Sequence, residues 1–173
     1  MSVFPDWHLH AVHQRRTETG CIPTGYELIL RTVGAQGVDF AAFQDEFDLD
    51  CNRKPHEPFL NNFESVAAAV KAKHPEVKFR SASFPKGEGT KKLAFIEQHL
   101  RKKRPLLVSV AMVPFGGKGW HIMPVVDMDT DSLTFLKFVH ANGSIELQRI
   151  DKPYLVTIHD QHDGGHEVAF LEE

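Results

Sequence analysis

His13-Gln14-Arg15-Arg16-Thr17-Glu18-Thr19-Gly20-Cys21-Ile22-Pro23-Thr24-Gly25-Tyr26-Glu27-Leu28 is the stretch from which the fold is read. From its middle onward the apolar residues Ile22, Tyr26, Ile29, Leu30 and Val33 recur at helical spacing, and Gly34 follows as a stop. A helix over 22–33 sets Cys21 at its N-terminus, approached through Thr19-Gly20, where glycine lets another backbone come close. The partial positive charge of a helix start favours a thiolate over a thiol, whose ordinary pKa is about 8.5, so the position predicts a lowered pKa. Gln14, a few residues upstream, carries a carboxamide that can join the Cys21 backbone N–H in holding an oxyanion. Taken singly, each residue has a plainer reading: a buried cysteine behaves as a small hydrophobe, and a loop glutamine is usually solvated.

Outward from this stretch the first half of the chain reads as helical. Helices are predicted over Asp39 to Phe47, over Phe63 to Lys73 with Asn61-Asn62 as cap, and over Lys91 to Lys103. Asp48 to Leu60 and Ser83 to Thr90 read as loops, with a short strand at Val77-Lys78-Phe79-Arg80 between the second and third helices. The period then changes. Leu106 to Val113, Ile122 to Met128, Leu133 to Val139, Ile145 to Ile150 and Tyr154 to Ile158 are short, partly alternating apolar runs separated by Gly, Asp, Asn or Pro. Helices followed by a mostly antiparallel sheet give an α+β order, and 173 residues fit one domain spanning 1–173.

His121 stands at the start of one such run, behind the glycine-rich Phe115-Gly116-Gly117-Lys118-Gly119. A strand holds an imidazole rigidly while the loop leaves it open to substrate, which suits a residue that takes a thiol proton and returns it to a leaving amine. Trp120 beside it walls a cleft or simply packs. Asp127 lies six residues along the same strand, about 20 Å at ~3.3 Å per residue, too far to orient the imidazole. If the hairpin turns around Asp129 to Asp131, the residues opposite His121 fall near Val139 and His140, and Asn142 or His140 reaches it with a small bulge. Asn142-Gly143 is equally an ordinary turn, and a Cys-His dyad or a backbone carbonyl stands as a rival to Asn142.

Gln14, the helix from Cys21 to Leu30, the strand after proline at Arg104-Pro105-Leu106-Leu107-Val108-Ser109-Val110 and Gly119-Trp120-His121, taken in order, resemble a papain-like cysteine peptidase of the bacteriocin (double-glycine) leader-peptidase branch. The likeness covers roughly residues 10 to 140. It implies a helical N-terminal lobe bearing Cys21 packed on an antiparallel sheet bearing His121, Gln14 at the oxyanion hole, and a peptide or protein substrate. It also implies an Asp or Asn on the strand after the histidine strand. Here no Asp-Pro occurs in Leu136-Lys137-Phe138-Val139-His140-Ala141-Asn142, and Lys137 sits near the expected place.

The expectation is therefore a thiol-dependent hydrolase of an amide bond with Cys21, His121, Gln14 and Asn142 as site residues and no cofactor or metal. Acyl transfer through the same thioester is one alternative, and a papain-like domain that holds a peptide without turnover is another. A zinc site built from His8-Leu9-His10-Ala11-Val12-His13, with His-x-His on a strand, or from His159 to His166, matches no recognised ligand spacing. A net charge of −3 argues against nucleic acid, no apolar run approaches the ~20 residues of a membrane span, and the N-terminus lacks the form of a secretory signal, so a cytoplasmic location is expected. Cys21 and Cys51 are expected as free thiols, with Cys51 exposed and not a nucleophile. Lys91-Lys92 and Arg101-Lys102-Lys103-Arg104 read as the solvated side of a helix, and Phe40, Phe43, Phe47, Phe59 and Phe63 as core.

Overall fold

A computed structural model describes residues 2–139, 142 and 144–172. In chain order it contains α1 (Trp7–His10), α2 (Cys21–Thr32), α3 (Phe43–Phe47), α4 (Phe63–Lys73), β1 (Phe79–Ser83), α5 (Gly89–Arg101), β2 (Leu106–Ala111), a 3-10 turn (Val113–Phe115), β3 (Trp120–Met128), β4 (Ser132–Phe138), β5 (Ile145–Asp151), α6 (Lys152–Gln161) and β6 (Glu167–Leu171). The strands form one six-stranded sheet in the order β1-β6-β2-β3-β4-β5, with antiparallel pairing throughout. The fold is α+β.

Side-chain alternation divides the core between the two faces of this sheet. On one face Ile22, Tyr26, Ile29 and Leu30 of α2 pack with Phe43, Phe47, Phe63, Val66 and Val70 against Leu107, Ile122 and Ala169. On the other, Ile96 and Leu100 of α5 and Leu155 and Ile158 of α6 pack against Val108, Val110, Met123, Val125 and Phe135. β2 is buried along its whole length because it has helices on both faces. Tyr26 anchors the first core, stacked on Phe79 at 3.8 Å between ring centroids and donating its hydroxyl to Phe63 O.

Several expectations need correction. Tyr154–Ile158 lies inside α6, not in a strand: Pro153 sits in the first helical turn, where its missing N–H costs nothing. β6, which pairs with both β1 and β2, was not foreseen, and His8-Leu9-His10 is in α1, not in a strand. The helix expected from Asp39 begins only at Phe43. Lys92 is not solvated: it is 2% exposed, and its Nζ donates to Ser109 O and Gly165 O at 2.6 Å each. Phe59 is 76% exposed, against Arg53, whereas Phe43, Phe47 and Phe63 are core. The Asn62 cap, which accepts from the Ser65 N–H, the exposed Cys51 and the turn between Met128 and Ser132 are as expected.

Candidate active site

The residues before α2 form a loop held at almost every step. Gln44, buried in α3, accepts from the Arg15 N–H with Oε1 and donates to His13 O and to the buried Glu27 carboxylate with Nε2, each at 2.9 Å. It thereby grips the backbone on both sides of Gln14. Thr19 donates its hydroxyl to the fully buried Asp48 at 2.6 Å, and Asn61 donates its side-chain amide to Thr19 O. Gly20 comes so close to Arg16 that a Cβ would lie 2.9 Å from Arg16 O, so the turn into the helix is one that glycine permits. The chain is fixed up to the residue before Cys21.

Gly20 is the N-cap and supplies no side chain, and Pro23 has no N–H, so the first-turn donors that remain belong to Cys21 and Ile22. Both favour the Cys21 thiolate, and a third backbone N–H does so from the sheet and more strongly than either: that of Ile122, the residue after His121. The antiparallel register explains why that group is available. Val110 pairs with His121 and Ser109 with Ile122, and the Met112 N–H to Gly119 O bond sets the alternation, so Ile122 directs its N–H away from β2 toward β4. The described β3–β4 pairing extends only to Val125↔Phe135.

Cys21 keeps some solvent exposure, yet protein packs around its sulfur, and this desolvation pushes the thiol up to about 11. The three N–H groups act in the opposite direction, and the buried Asp48 carboxylate adds to the rise. The lowered pKa expected from the helix start is thus overridden by burial.

His121 is buried, edge-on to Phe138 at 6.4 Å between centroids. By register it belongs with Met123 and Val125 on the α5/α6 face, whereas Ile122 faces α2. It lines a cavity of about 500 Å³ with Met112, Phe115, Lys118, Trp120 and Lys137. Cys21 and Gln14 are not among the described lining residues. The structure therefore brings the Cys21 sulfur to the His121–Ile122 step from the α2 side, while the imidazole borders the cavity.

Gln14 is 3% exposed and donates Nε2 to Arg16 O at 2.8 Å; a carboxamide nitrogen carries a second proton for another acceptor. Asn142 is exposed, and its Oδ1 accepts from the Ser144 N–H at 3.0 Å within the β4–β5 connection, an Asx turn. His140, the other expected orienting residue, lies outside the described residues. Among the described residues no group of three or more His, Cys, Asp or Glu side chains is placed to hold a metal ion, and His159 and His166 bond to backbone carbonyls instead. No described helix is long and apolar enough to cross a membrane.

Three residues that shape this site escaped the sequence reading. Gln44, Asp48 and Asn61 act across 17 to 42 positions of chain in these bonds, and their only sequence signal is polarity inside segments otherwise read as helix or loop. Comparison with known proteins finds no matching family model and no matching curated protein.

Proposed function

We propose that this protein is a thiol-dependent hydrolase of papain-like type that cuts an amide bond in a peptide. The observation that carries the reading is that the Ile122, Ile22 and Cys21 N–H groups all favour the Cys21 thiolate, the first contributed by the residue next to His121. Backbone donors fixed by a helix start and a strand stabilise a developing thiolate without reorganising. In the reaction the Cys21 sulfur bonds to the carbonyl carbon, and His121 carries the thiol proton to the leaving nitrogen as the C–N bond breaks. The oxyanion sits between the Cys21 N–H and the second Nε2 proton of Gln14. Water then cleaves the thioester; an amine in its place gives acyl transfer. Asn142, whose Oδ1 holds its turn, stays one candidate to orient the imidazole, beside His140 or a backbone carbonyl.

A second reading, a papain-like domain that holds a peptide without turnover, is favoured by two observations. The thiol is pushed up to about 11, and the cavity borders His121 but not Cys21. Alkylation of Cys21 by iodoacetamide across pH, read by peptide mapping in wild type and His121→Ala, separates the two. The hydrolase reading expects reaction well below pH 8 that His121→Ala removes. A Cys21 that titrates above pH 9 or stays inert in both proteins establishes the second reading.

A further inference from the structure

The cavity beside His121 has a consistent chemistry. Met112, Phe115, Trp120 and Val139 give it apolar walls, and its charged residues, Lys118 and Lys137, share one sign. No Asp or Glu is among its described lining residues, although the chain as a whole is net −3. Neither lysine comes within 4.0 Å of a carboxylate among the described residues, although Glu146 stands directly across from Lys137 on β5.

The site is also built rather than incidental. The Gly164 backbone packs so closely on the Trp120 ring that no Cβ fits between them, which holds the indole in place while it stays 62% exposed. The loop carrying Lys118 is closed by bonds from Met112 N–H to Gly119 O at 2.9 Å and from Gly117 N–H to Met112 O at 3.0 Å. Lys137 projects from β4, a rigid strand. About 500 Å³ falls within the ~300–1,000 Å³ that ligand pockets occupy, room for two or three side chains.

We propose that this cavity binds an acidic peptide segment, with a carboxylate between Lys118 and Lys137 and an apolar side chain against Phe115 and Trp120. The proposal names the substrate class of the hydrolase and rests on that reading for turnover, though not for binding. Two lysines around one carboxylate on an apolar floor discriminate by charge: a neutral isostere fills the same volume but offers Lys118 and Lys137 no carboxylate inside the cavity.

The test uses the full chain with Cys21→Ala, so that nothing is consumed, and isothermal titration with three capped probes. One has phenylalanine, glutamate and phenylalanine in order, the second has glutamine in the middle, and the third is a phenylalanyl dipeptide with a free C-terminal carboxylate. The glutamate or the free-carboxylate probe is expected to bind roughly five- to tenfold more tightly than the glutamine probe, as two solvent-accessible Lys–carboxylate pairs allow. That preference is expected to weaken with salt and to vanish in Lys118→Met/Lys137→Met, whose circular dichroism stays that of the parent. Preference for the glutamate probe assigns the site to an internal acidic residue, and preference for the free carboxylate assigns it to a chain end. Equal binding of charged and neutral probes, no binding, or a preference that survives loss of both lysines overturns the proposal. If wild-type protein cleaves neutral peptides in that case, the hydrolase reading stands alone; if the charged probe binds as expected but no peptide is cleaved, the cavity stands and the hydrolase reading falls.

Discussion

Lys92→Met, followed against pH, tests the electrostatics of the second core. Lys92 is 2% exposed, its amine on Ser109 O and Gly165 O, and burial lowers its pKa from 10.5 to about 7, opposed by the nearby Glu167. A base whose folded pKa lies below its unfolded one binds fewer protons when folded between pH 7 and 10.5, so stability rises with pH across that window. Below pH 7 the penalty is constant, and above 10.5 it is gone. At about 1.4 kcal/mol per pH unit, raising the pH from 7 to 9 adds on the order of 2 kcal/mol to wild type relative to Lys92→Met. The substitution also strips Ser109 O and Gly165 O of their donor, at a cost of about 1–3 kcal/mol each, but that loss is the same at every pH and cancels from the slope. Urea unfolding of both proteins under reducing conditions at pH 6, 7, 8 and 9 gives the difference curve. A flat difference from pH 7 to 9 would refute the argument and show that the two carbonyls keep the ammonium charged inside the fold.

Gly25→Ala is expected to destabilise by about 1–2 kcal/mol in the same assay, because its Cβ would lie 2.7 and 2.8 Å from the methyls of the fully buried Leu107, an overpacking that exceeds the roughly 1 kcal/mol gained in helix propensity. A gain in stability would mean that Leu107 moves freely. Gln44→Leu leaves the Arg15 N–H, His13 O and a buried Glu27 oxygen without their partner, so a loss of about 2–4 kcal/mol is expected. Amide hydrogen exchange should show protection lost across residues 13–20 and retained in the β4–β5 pair; uniform loss would deny Gln44 its particular hold on the Gln14 loop.

What the sequence disclosed follows the range over which each residue acts. The apolar residues of α2 recur at helical spacing, Asn62 caps within its own turn, and the β3–β4 hairpin turns at Asp129, whose carboxylate accepts from the N–H groups of Asp131 and Ser132. All three are local, and all three were legible. Tyr154-Leu155-Val156-Thr157-Ile158 has the β-branched and aromatic content of a strand, but Pro153 in a first helical turn and burial of Leu155 and Ile158 on one face make it a helix, a decision taken by tertiary packing. Lys92 belongs to a helix whose neighbouring Lys91 and Arg101 are exposed, and only the position of β2 and of the α6–β6 loop turns its amine inward. The candidate site divides in the same way. That Cys21 opens a helix and that His121 opens a strand can be read from periodicity; that Ile122 lends its N–H to the sulfur, and that Asp48 and desolvation raise the thiol, depends on how α2 docks on the sheet.

The raised thiol places a quantitative demand on the Cys21–His121 pair. Relative to a free imidazole in water, whose pKa is about 6.5, a thiol of pKa about 11 holds its proton by about 6 kcal/mol when the two charges do not interact. The three N–H groups already act on that thiol, so further stabilisation must come from the imidazolium itself. At an effective dielectric of 20, opposite charges about 4 Å apart attract by about 4 kcal/mol, which leaves the ion pair about 2 kcal/mol uphill and populated to about 3%. At about 8 Å the attraction halves, and the population falls below about 0.2%. A few per cent of a good nucleophile sustains turnover, whereas the smaller population suits a site that only binds. The pH-independent part of the wild-type alkylation rate near pH 7, relative to a free cysteine, therefore measures whether the imidazole closes on the α2 side of β3 in solution. A rate near a few per cent of the free thiolate rate, abolished in His121→Ala, requires the short separation; a rate an order of magnitude lower places the imidazole with the cavity.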